Sequence, residues 1–271
     1  MRQGKIFFTD LDDTLLNSEK QVSPEDAAAM LDALDAGRKI VINTGRPLPA
    51  VMPLLCRSGL DRPGCYAATY NGGLIYDCGS RSILYQKNLP LSCVRHIFRE
   101  ADRQQIYVQT YDSQGLLCRS CTSETRLYCA ASSIGWKADP SLPEHLTEAP
   151  VKVVAIDYDR PQRLHAFRAL LEPWAAGRVS MYFSSDFLLE FVSEGISKGR
   201  ALSFLCGLLN ISPEDAVAAG DAENDISMLQ AAGVGAAVAN AAPQVKAAAD
   251  YISEADCGHS AVSEIIRRFL L

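Results

Sequence analysis

Asp10, Asp12 and Asp13 crowd into the stretch KIFFTDLDDTLL, residues 5–16. The run Ile6-Phe7-Phe8 beside them reads as buried. Two unit charges about 4 Å apart repel by roughly 4 kcal/mol at an effective dielectric near 20, so stability alone gives no reason for the crowding. Chemistry does. Side chains two apart on a strand point the same way, which puts Asp10 and Asp12 on one side if the chain stays extended. Gly220-Asp221 closes another apolar run, with Asn224 and Asp225 one turn later. Oxygen ligands from two strand ends suit a hard cation, Mg2+ first, and the cation relieves the repulsion. Thr44 offers a hydroxyl, and Gly45 lets backbone N–H groups approach an anion closely. Lys198 falls in the first turn of an expected helix, where the dipole already favours anions. A bound phosphate explains a cation at that place.

Each residue also has a plainer reading. Asp221 serves as a strand-end turn, Asn224 as a helix cap, Thr44 as the cap of the following helix, and Lys198 as a solvated side chain. Taken singly, each plain reading is the stronger one. Together they have to explain four segments converging on one sheet edge, and there the functional reading is stronger.

The elements that position these residues follow from pattern. Residues 5–10 read as a buried strand. Ser23-Pro24-Glu25-Asp26 announces a helix, which ends near Gly37. RKIVINT is a strand ending at Thr44, GRPLPAVMPLLCRSGL a helix closed by Gly59, and YAATY a strand. Asn71-Gly72-Gly73 marks a hairpin turn. Alternating strands and helices mean a Rossmann-like parallel sheet covered on both faces, an α/β core, with ligands beyond the carboxyl ends of the strands. Residues 85–190 break the pattern and read as an α+β insert, leaving a discontinuous core of residues 1–84 and 191–271. After the insert come the helix SKGRALSFLCGLLN, a second SPED cap at Ser212–Asp215, the strand AVAAGD, a helix from Asn224, the strand GAAVA, a helix begun by Pro243, a short DYI strand and a last amphipathic helix from about 259.

The totals narrow the classes. The chain has 271 residues, 48% of them hydrophobic, and a net charge of −6 without a block of basic residues. Nucleic-acid backbones select basic faces, so that role is unexpected. No apolar run reaches the length of a membrane span, and the start of the chain leaves no room for a signal peptide, so a cytoplasmic protein is expected. Nine scattered cysteines are expected as thiols. Cys118-x-x-Cys121 with Cys129 nearby lacks a second pair or a close His, and reads as packing rather than zinc. The histidines at 96, 145, 165 and 259 match no catalytic pattern.

The whole chain resembles the haloacid dehalogenase superfamily of phosphohydrolases, in particular the Cof-type subgroup with a large cap. Asp10-Leu11-Asp12-Asp13-Thr14 matches its D-x-D-x-T motif. Thr44 in NTGR, Lys198 in SEGISKGRAL and Asp221 to Asp225 in GDAENDISML match the other three, in order. YNGG at 70–73 and VANAAPQVKAAADY at 238–251 resemble further subgroup signatures. Two departures stand out. Asp13 replaces a usual Gly, which is expected to affect turn geometry and not chemistry. EADCGHSAV replaces a late N-x-D-G-V-A element, which brings Cys257 and His259 to the cleft rim.

The resemblance implies that Asp10 attacks phosphorus and forms an aspartyl-phosphate. Asp12 then serves as acid to the leaving oxygen and base to the hydrolytic water. Mg2+ is held by Asp10, the Asp12 carbonyl and Asp221, with Asp225 close or bound through water. Thr44, Gly45 and Lys198 hold phosphoryl oxygens, and Asn224 orients Lys198 or a phosphate oxygen. Arg46, Asn71 and Glu190 face the leaving group. The insert closes as a cap and carries specificity. The expected function is a Mg2+-dependent phosphatase of small phosphorylated metabolites, sugar phosphates first, as monomer or homodimer. A sugar phosphomutase and a phospho-accepting signalling module are the alternatives.

Overall fold

The computed structural model describes residues 4–112 and 114–271. Met1-Arg2-Gln3, expected to lead straight into the first strand, lie outside the described residues. The chain forms two compact units, one running up to Tyr85 and resuming over Ser197–Leu271, the other spanning Gln86–Ile196.

The first unit opens with β1 (Ile6–Thr9), every residue of which is buried. Next come α1 (Pro24–Asp35), β2 (Lys39–Asn43), α2 (Leu48–Arg57) and β3 (Cys65–Thr69). A 3-10 turn, Tyr70–Gly72, leads to β4 (Leu74–Asp77) and β5 (Ser82–Gln86). The second unit holds α3 (Leu91–Gln104), β6 (Tyr107–Tyr111), β7 (Leu116–Cys118), α4 (Ser123–Ser132) and β8 (Trp136–Ala138). It continues with β9 (Lys152–Ile156), α5 (Gln162–Ala175), β10 (Val179–Ser185) and β11 (Leu188–Ser193). Back in the first unit are α6 (Lys198–Leu208), β12 (Ala216–Gly220), α7 (Ile226–Ala231), β13 (Val234–Ala237), α8 (Pro243–Ala248), β14 (Tyr251–Ile252) and α9 (Ala261–Phe269).

The first unit is an α/β domain on one sheet, ordered β14-β13-β12-β1-β2-β3-β4-β5. Pairing is parallel from β14 to β3 and antiparallel between β3 and β4. A parallel sheet covered on both faces needs strands apolar on both sides, which is how Ile6-Phe7-Phe8 and Ile40-Val41-Ile42 read. All six side chains are fully buried in one core cluster. In register, Thr9 lies between Ala219 and Ile42, and Asn43 lies beside Ala68. The residues just past the ends of β1, β2, β3 and β12 therefore share one edge.

The second unit has its own sheet, β10-β11-β9-β6-β7-β8, antiparallel except for β7 on β8. Val153, Ala155, Leu189 and Phe191 join Ile97, Phe98, Phe167 and Leu171 of α3 and α5 in a separate core. The alternate positions carry polar groups. Lys152 and Glu190, both buried, form an ion pair at 2.9 Å, and the Ser184 hydroxyl also donates to Glu190.

The identical SPED tetrapeptides part company. Ser23 Oγ accepts from Asp26 N–H at 3.0 Å and starts a 12-residue helix. Ser212 makes no side-chain cap, and residues 213–215 form a single 3-10 turn. No helix follows, because Ala216 immediately enters β12, the strand read from AVAAGD, which is hydrogen-bonded on both sides. Asn224, expected to begin a helix, lies in another 3-10 turn, Glu223–Asp225, ahead of α7. In urea unfolding, Ser23→Ala is expected to cost about 1 kcal/mol or more, and Ser212→Ala no more than a few tenths.

Candidate active site

The strand that carries Asp10 ends one residue before it. Asp10 N–H still donates to Ala219 O at 2.9 Å, a last rung of the β1–β12 ladder that fixes its backbone. The chain then turns. Leu15 and Leu16 N–H both return to Leu11 O, and Leu11, Leu15 and Leu16 sink into the core. The acids are left at the edge, but Asp10 and Asp12 do not share neighbours as an extended strand predicts. Asp10 meets Lys198, whereas Asp12 meets Arg46 and Lys20. Asp13 has a φ of 57°, the left-handed region in which Gly is free and Asp is among the tolerated residues. That conformation accounts for the usual Gly. Asn240 Nδ2 donates to the Asp13 carbonyl, and Lys20 pairs with its carboxylate.

Lys198 is the first residue of α6 and is fully buried. Its Nζ donates to Asp10 Oδ1 and to Asp225 Oδ1, each at 2.5 Å. Burial opposes its charge, but the two carboxylates outweigh burial and raise its pKa. Asp225 also accepts through Oδ2 from the N–H groups of Asp221 and Ala222, both at 3.0 Å. Gly220 permits this approach, because a Cβ there would lie 2.5 Å from Asp225 Cβ and Cγ. Asp221 Oδ1 accepts from Thr14 Oγ1 at 2.6 Å. Oxygens of Asp10, Asp221 and Asp225 all lie within 4.8 Å of one another.

One ammonium does not balance three carboxylates. Burial, reinforced by Asp225 and Asp221, raises the Asp10 pKa well above the ordinary range despite Lys198. Burial and Asp225 push Asp221 up to about 7. Such a cluster is deficient in positive charge and offers hard oxygen ligands, so a divalent cation fits it. Among the described residues, no other group of His, Cys, Asp and Glu side chains gathers in this way. Cys118, Cys121 and Cys129 are free thiols, and burial raises the pKa of Cys118 and Cys129.

Asp12 is in the opposite electrostatic state. Its side chain is 38% exposed, and the Arg46 guanidinium grips it through two bonds of 2.7 and 2.6 Å. Burial pushes its pKa up, but Arg46, with help from Lys20, holds it below the ordinary value. Replacing Arg46 by Met is expected to raise the Asp12 pKa, read by carboxyl-carbon NMR titration; an unchanged or lower value overturns this account.

The other expected residues are placed as follows. Thr44 does not cap α2, whose cap position is Pro47; its Oγ1 accepts from Arg46 N–H at 3.1 Å. Gly45 follows it at the end of β2, partly exposed. Asn71 N–H donates to Thr44 O, and Asn71 Oδ1 accepts from Asn224 Nδ2 at 3.1 Å, so the Asn224 amide donates to Asn71. Tyr70 and Asn71 both adopt positive φ, 53° and 59°. These residues all belong to the first unit. Glu190 belongs to the second, where Lys152 and Ser184 engage it. Cys257 N–H donates to Asn240 Oδ1, and His259 pairs with Asp256 at an exposed position. No motif marked Lys20 or Lys152; Asn43 and Ser227 lie within NTGR and GDAENDISML but, like Thr14, carried no assigned role.

A parallel α/β sheet with acids, a buried lysine and a strand-end threonine along one edge defines an enzyme of the phosphoryl-handling type. The chain belongs to the haloacid dehalogenase-like hydrolases, whose family profile matches residues 7–266, and the Cof-type assignment holds. It is 28% identical to the pyridoxal phosphate phosphatase YbhA of Escherichia coli, over 92% of each chain. It is 26% identical to the 5-amino-6-(5-phospho-D-ribitylamino)uracil phosphatase YcsE of Bacillus subtilis, over 98% of this chain and 96% of that one. The crystal structure of a haloacid dehalogenase-like hydrolase from Bacteroides thetaiotaomicron superposes with a TM-score of 0.88 at 27% identity, covering 98% of this chain and 99% of the other. No helix among the described residues is long and apolar enough to cross a membrane.

Proposed function

We propose that this hydrolase is a Mg2+-dependent phosphatase of small phosphorylated metabolites, sugar phosphates first, working through an aspartyl-phosphate on Asp10. The observation that carries the reading is the cluster of Asp10, Asp221 and Asp225 with Lys198 Nζ bonded to two of them. Full-length relatives named as phosphatases of two phosphorylated metabolites support it. Asp10, Asp221 and the Asp12 carbonyl would hold the cation, with Asp225 beside them. When bound, the cation neutralises charge on the transferring group and on the carboxylates.

The residues divide the work. Asp10, fixed by its backbone bond to Ala219, is the nucleophile. Lys198 and Thr44 neutralise and orient phosphoryl oxygens, where charge must be met during transfer. Asp12 is the acid and base. In the resting site Arg46 holds Asp12 ionised, so protonation of the leaving oxygen requires Asp12 to leave that grip. Substrate selection is assigned to the inserted α+β unit.

The test is free-phosphate release from a panel of phosphorylated metabolites with and without Mg2+. Activity that needs the metal is expected, and inactivity across the panel overturns the reading. A pH dependence follows from Asp221. With its folded pKa near 7 and an ordinary value of 3.8, the metal-free folded protein keeps a proton that the unfolded chain has released. Metal-free stability therefore falls as pH rises from about 4 to about 7. Because the ligand must shed that proton, Mg2+ affinity is expected to drop up to roughly tenfold per pH unit below about 7. Calorimetry at pH 6 and 8 reads both the affinity and the proton release.

A further inference from the structure

Lys198 is useful only if its ammonium stays between Asp10 and Asp225, and a lysine has four rotatable carbons on which to wander. The structure shows what fixes its base. The peptide group joining Lys198 to Gly199 is held at both ends by side chains from other elements. Asn43 Nδ2, from the end of β2, donates to the Lys198 carbonyl at 3.0 Å. Ser227 Oγ, from the first turn of α7, accepts from the Gly199 N–H at 3.1 Å. That N–H is one of the donors a helix start leaves without an internal partner. Ser197, the α6 cap, satisfies a different one, on Arg200.

Both contacts show signs of being built. Asn43 is completely buried at the end of the strand KIVIN, behind the apolar run Ile40-Val41-Ile42, where Ala or Val would pack at no desolvation cost. Its orientation is set by chemistry, since a carbonyl can only accept; Nδ2 also reaches Met228 Sδ at 3.4 Å, and Oδ1 is left buried without a partner. A buried amide that satisfies only its donor half has been retained for that donor. On the other side, Gly199 lets α6 and α7 touch, because a Cβ there would lie 2.3 Å from Ser227 O. Any other residue would push Ser227 away from the N–H it caps.

We infer that Asn43 and Ser227 are positioning residues for Lys198. They clamp its peptide from the strand that carries Thr44 and from the segment that carries Asp225, so the three phosphate-handling groups share one frame. The inference rests on the role given to Lys198 under Proposed function.

The test uses orthovanadate, a phosphoryl mimic, titrated calorimetrically into the full-length protein with saturating Mg2+. Ser227→Ala removes one oxygen, and Asn43→Leu keeps the branching at Cγ while removing the donor. Each is expected to weaken vanadate about fivefold to tenfold, the scale of one lost hydrogen bond. In a Lys198→Met background the same changes are expected to matter by less than about twofold, because the lysine through which they act is gone. A merely structural effect would persist in that background. Unaltered single variants, or equal factors with and without Lys198, overturn the inference while leaving the role of Lys198 intact. A Lys198→Met protein that binds vanadate as wild type does overturns that role and the inference together. Ser227→Ala alone decides the matter should Asn43→Leu not fold.

Discussion

Asp10→Asn is expected to lower kcat by at least about 10^4-fold, as loss of a covalent nucleophile does, while leaving the fold in place. The carboxamide matches the carboxylate in shape. The charge that it removes is one the site holds at a cost, since burial and the neighbouring acids already raise the Asp10 pKa. The metal-free melting temperature should therefore not fall. Free-phosphate release on a responsive substrate, paired with thermal unfolding, checks both halves. A variant that retains more than about one per cent of turnover ends the nucleophile assignment.

Lys198→Met carries the second large effect, and here function and stability fall together. The ammonium is the charge that separates Asp10 from Asp225, 2.5 Å from each. Without it two buried carboxylates face each other with no ammonium between them. Removing one partner of a buried pair costs about 3 kcal/mol or more. Losing a preorganised donor to the transferring group costs about 10^2 to 10^3 in kcat. The stability loss should shrink at pH 5, where Asp10, its pKa raised by burial and the neighbouring acids, regains its proton, and grow toward pH 8. Urea unfolding at the two pH values reads the slope. A variant equally stable at both and fully active removes Lys198 from the site.

The sequence showed the α/β order and the four clustered segments because both depend on local signals. Apolar runs of strand length marked β1 and β2, Pro24 and Ser23 marked α1, and D-x-D-x-T marked the edge. It failed where neighbours from distant segments decide. The extended-strand assumption placed Asp10 and Asp12 together, yet the turn after Thr9 separates them between Lys198 and Arg46. The second SPED, at 212–215, repeats the cap residues of the first, yet its serine caps nothing because β12 takes the next residue. Asn43 reads as an ordinary strand residue, since its partner at Lys198 lies 155 positions away. In the second unit, β8 is exposed at every position and short, so it has no apolar alternation to read. Lys152 interrupts nothing visible in VKVVAIDYD, although its burial beside Glu190 is a main feature of that sheet.

The order in which the chain is made gives the discontinuity of the first unit a meaning of its own. Asp10 emerges from the ribosome ahead of its partners: its lysine lies 188 residues later, and the Asp221 that Thr14 holds lies 207 residues beyond that threonine. At roughly 10 residues per second, about 20 seconds of synthesis separate the nucleophile from the groups that make it one. The inserted unit, a continuous segment with its own core, is complete in that interval. Until β12 arrives, β1 lacks one of its two neighbours and presents an apolar edge. The nascent protein is thus both inactive and exposed to aggregation until β12 is made, and a product truncated before it is left without the site.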